Sequence, residues 1–285
     1  MRTLIVLLSA MFAVSCAAQK KVPEPVRGTW ITNVASDALV SREKVRETVA
    51  LCKSYGLNNI YVVVWNKGMT MYPSEVVDRY VGIRQDPKYG SFDPIKEIVE
   101  EGHKAGLKVH AWFEFGFSYT YGDSSSVWLQ RYPHWAGRDV NGNLLKKNNF
   151  YWWSSIMPEV QQFMTELVLE VVKKYKVDGV QGDDRLPAMP GEGGYDPYTK
   201  ALYAKEHGGK QPPSNSKDSL WTQWRADKLS QYIKGLYAAV KKQNPKCRAT
   251  LKRTGPKSRT LGERSRRRGS PLLRVDLTVV MIGER

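Results

Sequence analysis

Cysteine is close to absent, with three in 285 residues, and histidine is scarce, with four. Three thiols, Cys16, Cys52 and Cys247, cannot build a disulfide framework, and their spacing fits no metal-ligand pattern. No metal site is therefore expected, and no motif calls for a cofactor. Apolar runs of about 18 residues are also missing, so no segment reads as a permanent membrane span. The first strand-like segment is not followed by a Gly-rich phosphate turn, which argues against a doubly wound nucleotide fold. Acidic residues are outnumbered, 28 against 44 basic, for a formal charge of +16. Residues 247–285 hold eleven basic residues against three acidic ones and so carry half of that excess. The remainder is only mildly basic, and no nucleic-acid partner is expected.

What is present begins with an export signal. Residues 1–16 combine Arg2, a largely apolar run from Leu4 to Val14, and small residues before Cys16. Ala13-Val14-Ser15-Cys16 resembles a bacterial lipobox. That resemblance implies lipidation of Cys16 and anchoring to a bacterial membrane in the cell envelope, with plain secretion as the alternative. Residues 17–26 are polar and proline-bearing, as a tether would be.

Residues 27–246 alternate between two periodicities. Strand-like segments cover Arg27–Thr32, Asn59–Trp65, Leu107–Glu114 and Lys176–Asp184. Helical spacing covers Arg42–Tyr55, Pro94–Ala105, Pro158–Tyr175, Tyr198–Glu206 and Trp224–Lys242. Such alternation predicts βα units on a parallel sheet. The strand-to-helix loops are long and aromatic, whereas the helix-to-strand turns are short. That asymmetry predicts a (β/α)8 TIM-barrel fold with its function on one rim, of which only the first four or so units are present. After Pro245 a fifth strand is due, but residues 247–285 become Arg-rich and contain no aromatic residue, although the rest of the chain holds 9 Trp, 15 Tyr and 7 Phe. This tail is expected to be irregular, a replacement of the second half by truncation or frameshift; a genuine basic tail is the alternative.

Acids stand at the ends of two strands: Glu114 after the third, Asp183 and Asp184 after the fourth. Glycosidic bond cleavage uses two carboxylates, one to protonate the leaving oxygen and one as nucleophile or base. Sugar rings have apolar faces that aromatic side chains can cover while polar groups fix the hydroxyls. The expected substrate contacts are Trp65, Asn66, His110, Trp112, Trp135, Trp152, Gln181 and Arg185. Helix capping by the acids and core packing by the tryptophans are the structural alternatives. Alternation along the fourth strand puts Gln181 and Asp183 on one face and Asp184 on the other. Asp183 is therefore the expected nucleophile or base, Glu114 the acid, and Asp184 an orienting group.

Arg27-Gly28-Thr29-Trp30, the Asn59–Trp65 strand, Gly106–Trp112 and the Asp178–Asp184 block together resemble the glycosyl hydrolase-like family ten over roughly residues 25–245. The resemblance implies an exported, often lipid-anchored (β/α)8 protein acting on a polysaccharide. One branch of that family cleaves peptidoglycan glycan strands freed of their peptides. The fourth strand is also similar to that of the α-amylase clan, on whose pattern Asp183 falls at the nucleophile position, although Gln181 stands where that clan has Arg. A non-catalytic carbohydrate-binding lipoprotein is the competing expectation, and polyanion binding through the basic tail a third.

Overall fold

The computed structural model describes residues 24–250 and a short strand at Thr278–Val279. The segment read as an export signal, Cys16, most of the expected tether and most of the basic tail lie outside the described residues. Strands β1 (Arg27–Ile31), β2 (Asn59–Val63), β3 (Lys108–Phe113) and β4 (Gly179–Gly182) lie side by side in chain order, all parallel. Their register aligns Trp30, Tyr61, His110 and Gly179 in one row. All five residues of β2 are buried, as a parallel strand covered on both faces requires.

The fifth strand, which the sequence reading expected to be missing, is present. Strand β5 (Arg248–Thr250) pairs parallel with β4, and the amide of its first residue, Arg248, donates to the Asp178 carbonyl at 2.8 Å. The barrel segment therefore runs past residue 246. Thr278–Val279 pairs parallel with the outer edge of β1, at Arg27 and Gly28. Both pieces belong to the stretch expected to be irregular. Each is too short, and β5 too polar, for periodicity to reveal it.

The helices are α1 (Arg42–Ser54), α2 (Glu75–Val81), α3 (Pro94–Lys104), α4 (Val127–Arg131), α5 (Pro158–Tyr175), α6 (Pro197–Glu206) and α7 (Ser219–Gln243). Helices α1, α3, α5 and α7 pack against one another in that order outside the sheet. Asp93 caps α3, its Oδ1 accepting from the Lys96 amide at 3.0 Å while Oδ2 accepts from the Tyr175 hydroxyl at 2.7 Å. Glu170 of α5 reaches the start of α2, where it accepts from the amides of Glu75 (2.6 Å) and Val76 (3.1 Å) and the hydroxyls of Tyr72 (2.9 Å) and Ser74 (2.6 Å). A carboxylate at a helix N-terminus is favoured by the exposed amides there.

The stretch between Phe113 and Pro158, read from sequence as an aromatic loop, is a folded layer. It contains α4 and a three-stranded antiparallel sheet of Ser118–Tyr121, Phe150–Trp152 and Lys146–Lys147. A loop of that length seldom stays structureless in a compact domain. Its rings close over α5. Trp128 lies 4.7 Å from Phe163 and 5.1 Å from Trp153 between ring centroids, and Trp65 lies 6.2 Å from Trp153. Gly68 (φ 75°) makes this packing possible, because a Cβ there would meet the Tyr119 carbonyl and the Trp128 ring. Trp128 is 1% exposed, and its Nε1 donates to the Gly68 carbonyl at 2.8 Å. Trp128→Ala is expected to destabilise the fold by about 3–5 kcal/mol, read as a drop in denaturant midpoint. A loss below about 1 kcal/mol would mean that the layer is not part of the cooperative core.

Candidate active site

The strand ends deliver Asn66 after β2, Glu114 after β3, and Asp183, Asp184 and Arg185 after β4 to one rim. After β2 the chain turns back through a two-strand hairpin, Trp65–Asn66 against Met69–Thr70, with Lys67 and Gly68 at positive φ. That turn sets Asn66 against the end of β3, where its Nδ2 donates to Glu114 Oε2 at 2.6 Å. Its Oδ1 is buried and has no hydrogen-bond partner among the described residues.

Arg185 joins the rim. Its Nε donates to the Glu114 carbonyl at 2.8 Å, its Nη1 lies 3.1 Å from Asp184 Oδ1, and its Nη2 lies 3.4 Å from Asp183 Oδ2 and 4.0 Å from Glu114 Oε1. The guanidinium sits over the Phe150 ring at 4.5 Å and the Phe115 ring at 5.7 Å. Its own carbonyl accepts from the Phe117 amide at 2.9 Å. Gly116, at φ 47°, leaves room for that carbonyl, with which a Cβ would collide. The loops after β3 and β4 are thus tied by backbone and side chain together.

Glu114 and Asp183 approach the same Arg185 nitrogen, so their nearest oxygens are no further apart than those two distances added together. That limit is shorter than the roughly 9.5 Å at which carboxylate pairs still cleave glycosidic bonds. Burial raises the Glu114 carboxyl above the usual carboxylate range, and the Asp183 charge adds to this; the Asn66 hydrogen bond and the Arg185 charge oppose it. Asp183 Oδ1 accepts from the Asp184 amide at 2.7 Å. Asp184 is the most open of the three acids, its side chain 66% exposed against 34% for Asp183 and 17% for Glu114.

Several expected substrate contacts lie elsewhere. Trp65 and Trp135 are core residues, 0% and 1% exposed, and their Nε1 groups donate to the Gly116 carbonyl (3.1 Å) and to Glu159 (2.8 Å). Trp152 is buried as well. His110 lies inside the barrel below the rim, stacked on Tyr61 at 4.7 Å, with Nε2 donating to Asn59 Oδ1 at 2.8 Å. Burial lowers its pKa to about 4, so the ring is neutral at physiological pH. Asn66 and Arg185 act on the carboxylates, and Gln181 Oε1 accepts from Trp30 Nε1 at 2.9 Å. Trp112 stays half-buried on the strand face of Glu114, with its Nε1 unpartnered among the described residues. Trp30 and Tyr61, neither expected as site residues, form the stacked floor below, 5.4 Å apart. Their alternate positions on β1 and β2 were the available signal.

Because the native state favours neutral Glu114, the folded protein holds that proton more tightly than the unfolded chain. Stability from this group is present below the unfolded value of about 4.3 and falls as pH rises through the higher folded value. Glu114→Gln is expected to remove that fall, so its melting temperature gains on the unsubstituted protein between pH 4 and 7. A difference that does not change with pH would refute the assignment.

The sequence pattern of the glycosyl hydrolase-like 10 family matches residues 25–257. Glycosyl hydrolase YngK of Bacillus subtilis (strain 168) is 27% identical over 271 residues, which cover 86% of this chain and 48% of that protein. Glycosyl hydrolase DigH of Escherichia coli (strain K12) is 28% identical over 203 residues, covering 59% and 43%. The chain therefore spans about half the length of these relatives. Among solved structures, α-L-fucosidase isoenzyme 2 from Paenibacillus thiaminolyticus superposes with a TM-score of 0.56 at 18% identity, over 78% of this chain and 31% of that one. The β-amylase catalytic domain from Paenibacillus polymyxa gives 0.53 at 12% identity, over 81% and 67%. These likenesses concern the barrel fold, whereas the family pattern covers most of the chain: the protein belongs to the glycosyl hydrolase-like 10 family.

Proposed function

We propose that this chain carries catalytic groups of a glycoside hydrolase that cleaves O-glycosidic bonds in a polysaccharide. The observation that carries the reading is the pair Glu114 and Asp183, brought from two strands to one guanidinium. Glu114 is the general acid. Burial favours its protonated form, and Asn66 fixes the carboxyl so that the proton can pass to the leaving glycosidic oxygen. Asp183 is the nucleophile, or the base that activates water, at the anomeric carbon. Asp184 and Arg185 orient it, and the Arg185 charge permits two carboxylates to stand close together.

The substrate class that fits the family resemblance is the bacterial cell-wall polymer, specifically peptidoglycan glycan strands without peptides. The Ala13–Cys16 segment supports a lipid anchor at Cys16, which would hold the protein in the envelope beside that polymer.

The test is release of reducing ends from peptide-free glycan strands. The unsubstituted protein is expected to release them, and Asp183→Asn and Glu114→Gln are each expected to slow release by about 10²–10⁴-fold. Strand binding with no release by the unsubstituted protein would replace the hydrolase with a carbohydrate-binding lipoprotein. Unchanged rates in both variants would place the chemistry on other residues.

A further inference from the structure

With Trp65, Trp135 and Trp152 buried, three of the four expected tryptophan platforms are not available at the rim, and Trp112 is half-buried. Another aromatic surface is available. Tyr121, Phe150 and Lys147 are directly paired across the three-stranded sheet, so their side chains share one face. Tyr121 is 49% exposed and meets Phe150 edge-on, with ring centroids 4.9 Å apart at 65°. Two residues of the loop after β4 lie on this same face. Arg185 covers Phe150 at 4.5 Å, and Glu192 pairs with Lys147 at 2.6 Å. The row therefore looks towards the loop that presents Asp183, and Arg185 is shared between the aromatic row and the carboxylate pair.

We infer that Tyr121, backed edge-on by Phe150, forms with the Lys147–Glu192 pair a binding subsite for sugar residues of the polysaccharide beyond those at Glu114 and Asp183. Its chemistry suits that occupant. An exposed ring offers a face to the C–H surface of a pyranose, and a half-exposed ion pair beside it offers both donors and acceptors to hydroxyls. An apolar protein partner would leave the charges of Lys147 and Glu192 without solvent. Continuity through Arg185 makes the subsite an extension of the catalytic rim, so it acts only on chains long enough to reach it. A protein built this way prefers long strands to short oligomers. This inference rests on the proposed hydrolase reading for the identity of its ligand.

The experiment measures binding calorimetrically in the Asp183→Asn background, where turnover is suppressed. The probes are long peptide-free glycan strands and the disaccharide unit released from them. Tyr121→Ala removes a half-exposed ring and leaves the buried core intact. It is expected to weaken strand binding roughly three- to tenfold, the range of one aromatic contact, and to leave disaccharide binding unchanged. Tyr121→Phe keeps the ring and is expected to bind strands as well as the parent. Strand binding that is equal with and without the Tyr121 ring overturns the subsite while leaving the hydrolase reading intact. Strands that are neither bound by the Asp183→Asn protein nor cleaved by the unsubstituted one overturn both.

Discussion

The Arg185 guanidinium is the interaction on which the rim depends. It is nearly enclosed, with 13% of its side chain exposed, and it neutralises acids from two strands while bonding the Glu114 backbone carbonyl. A lysine could not replace it, since only a planar fork reaches a carbonyl and three carboxylates at once while lying flat on aromatic rings. Its placement depends on Gly116 in turn, because the Arg185 carbonyl occupies the space that any Cβ there would fill. Two residues far apart in function, a glycine in one loop and an arginine in the next, thus set the separation of the carboxylates.

The far side of the loop after β4 is held by a second arginine. Arg225 of α7 is 4% exposed and donates to the carbonyls of Gly191 (2.7 Å), Gly193 (2.6 Å) and Ser216 (2.7 Å), with its guanidinium 4.7 Å from the Trp221 ring. Burial disfavours its charged form, and the loop carbonyls compensate. The loop is therefore braced at both ends, by Arg185 against the carboxylates and by Arg225 against the outer helix layer. Bracing of this kind keeps the proposed catalytic groups at fixed separation, which is what preorganised catalysis requires.

The aromatic layer between β3 and α5 provides the rigid backing. Trp65, Trp128, Trp135 and Trp153 surround Phe163 of α5, so the antiparallel sheet bearing Phe150 cannot drift away from the barrel without opening a core. Trp65, Trp135 and Trp152, which sequence reasoning would assign to substrate, serve stability instead, and the exposed ring on the antiparallel sheet is Tyr121.

Periodicity and punctuation determined the architecture. The apolar run Asn59–Val63, Pro158 opening a helix that ends at Tyr175, and Gly56 and Gly106 closing short turns are local signals. Local signals decide element type because propensity and burial pattern act over a few residues. The same logic put Glu114 and Asp183 at strand ends. Three things were settled only by the fold. Which aromatics are buried depends on how the layer after β3 closes, and a tryptophan reads alike whether it packs on Phe163 or faces solvent. The role of Arg185 depends on Glu114, Phe115 and Phe150, which come from other strands and loops. Strand β5 exists because the edge of β4 supplies partners to Arg248–Thr250, three residues whose own sequence asks for no strand. Contacts between distant segments leave no period in a single chain, so they are legible only once the chain has folded.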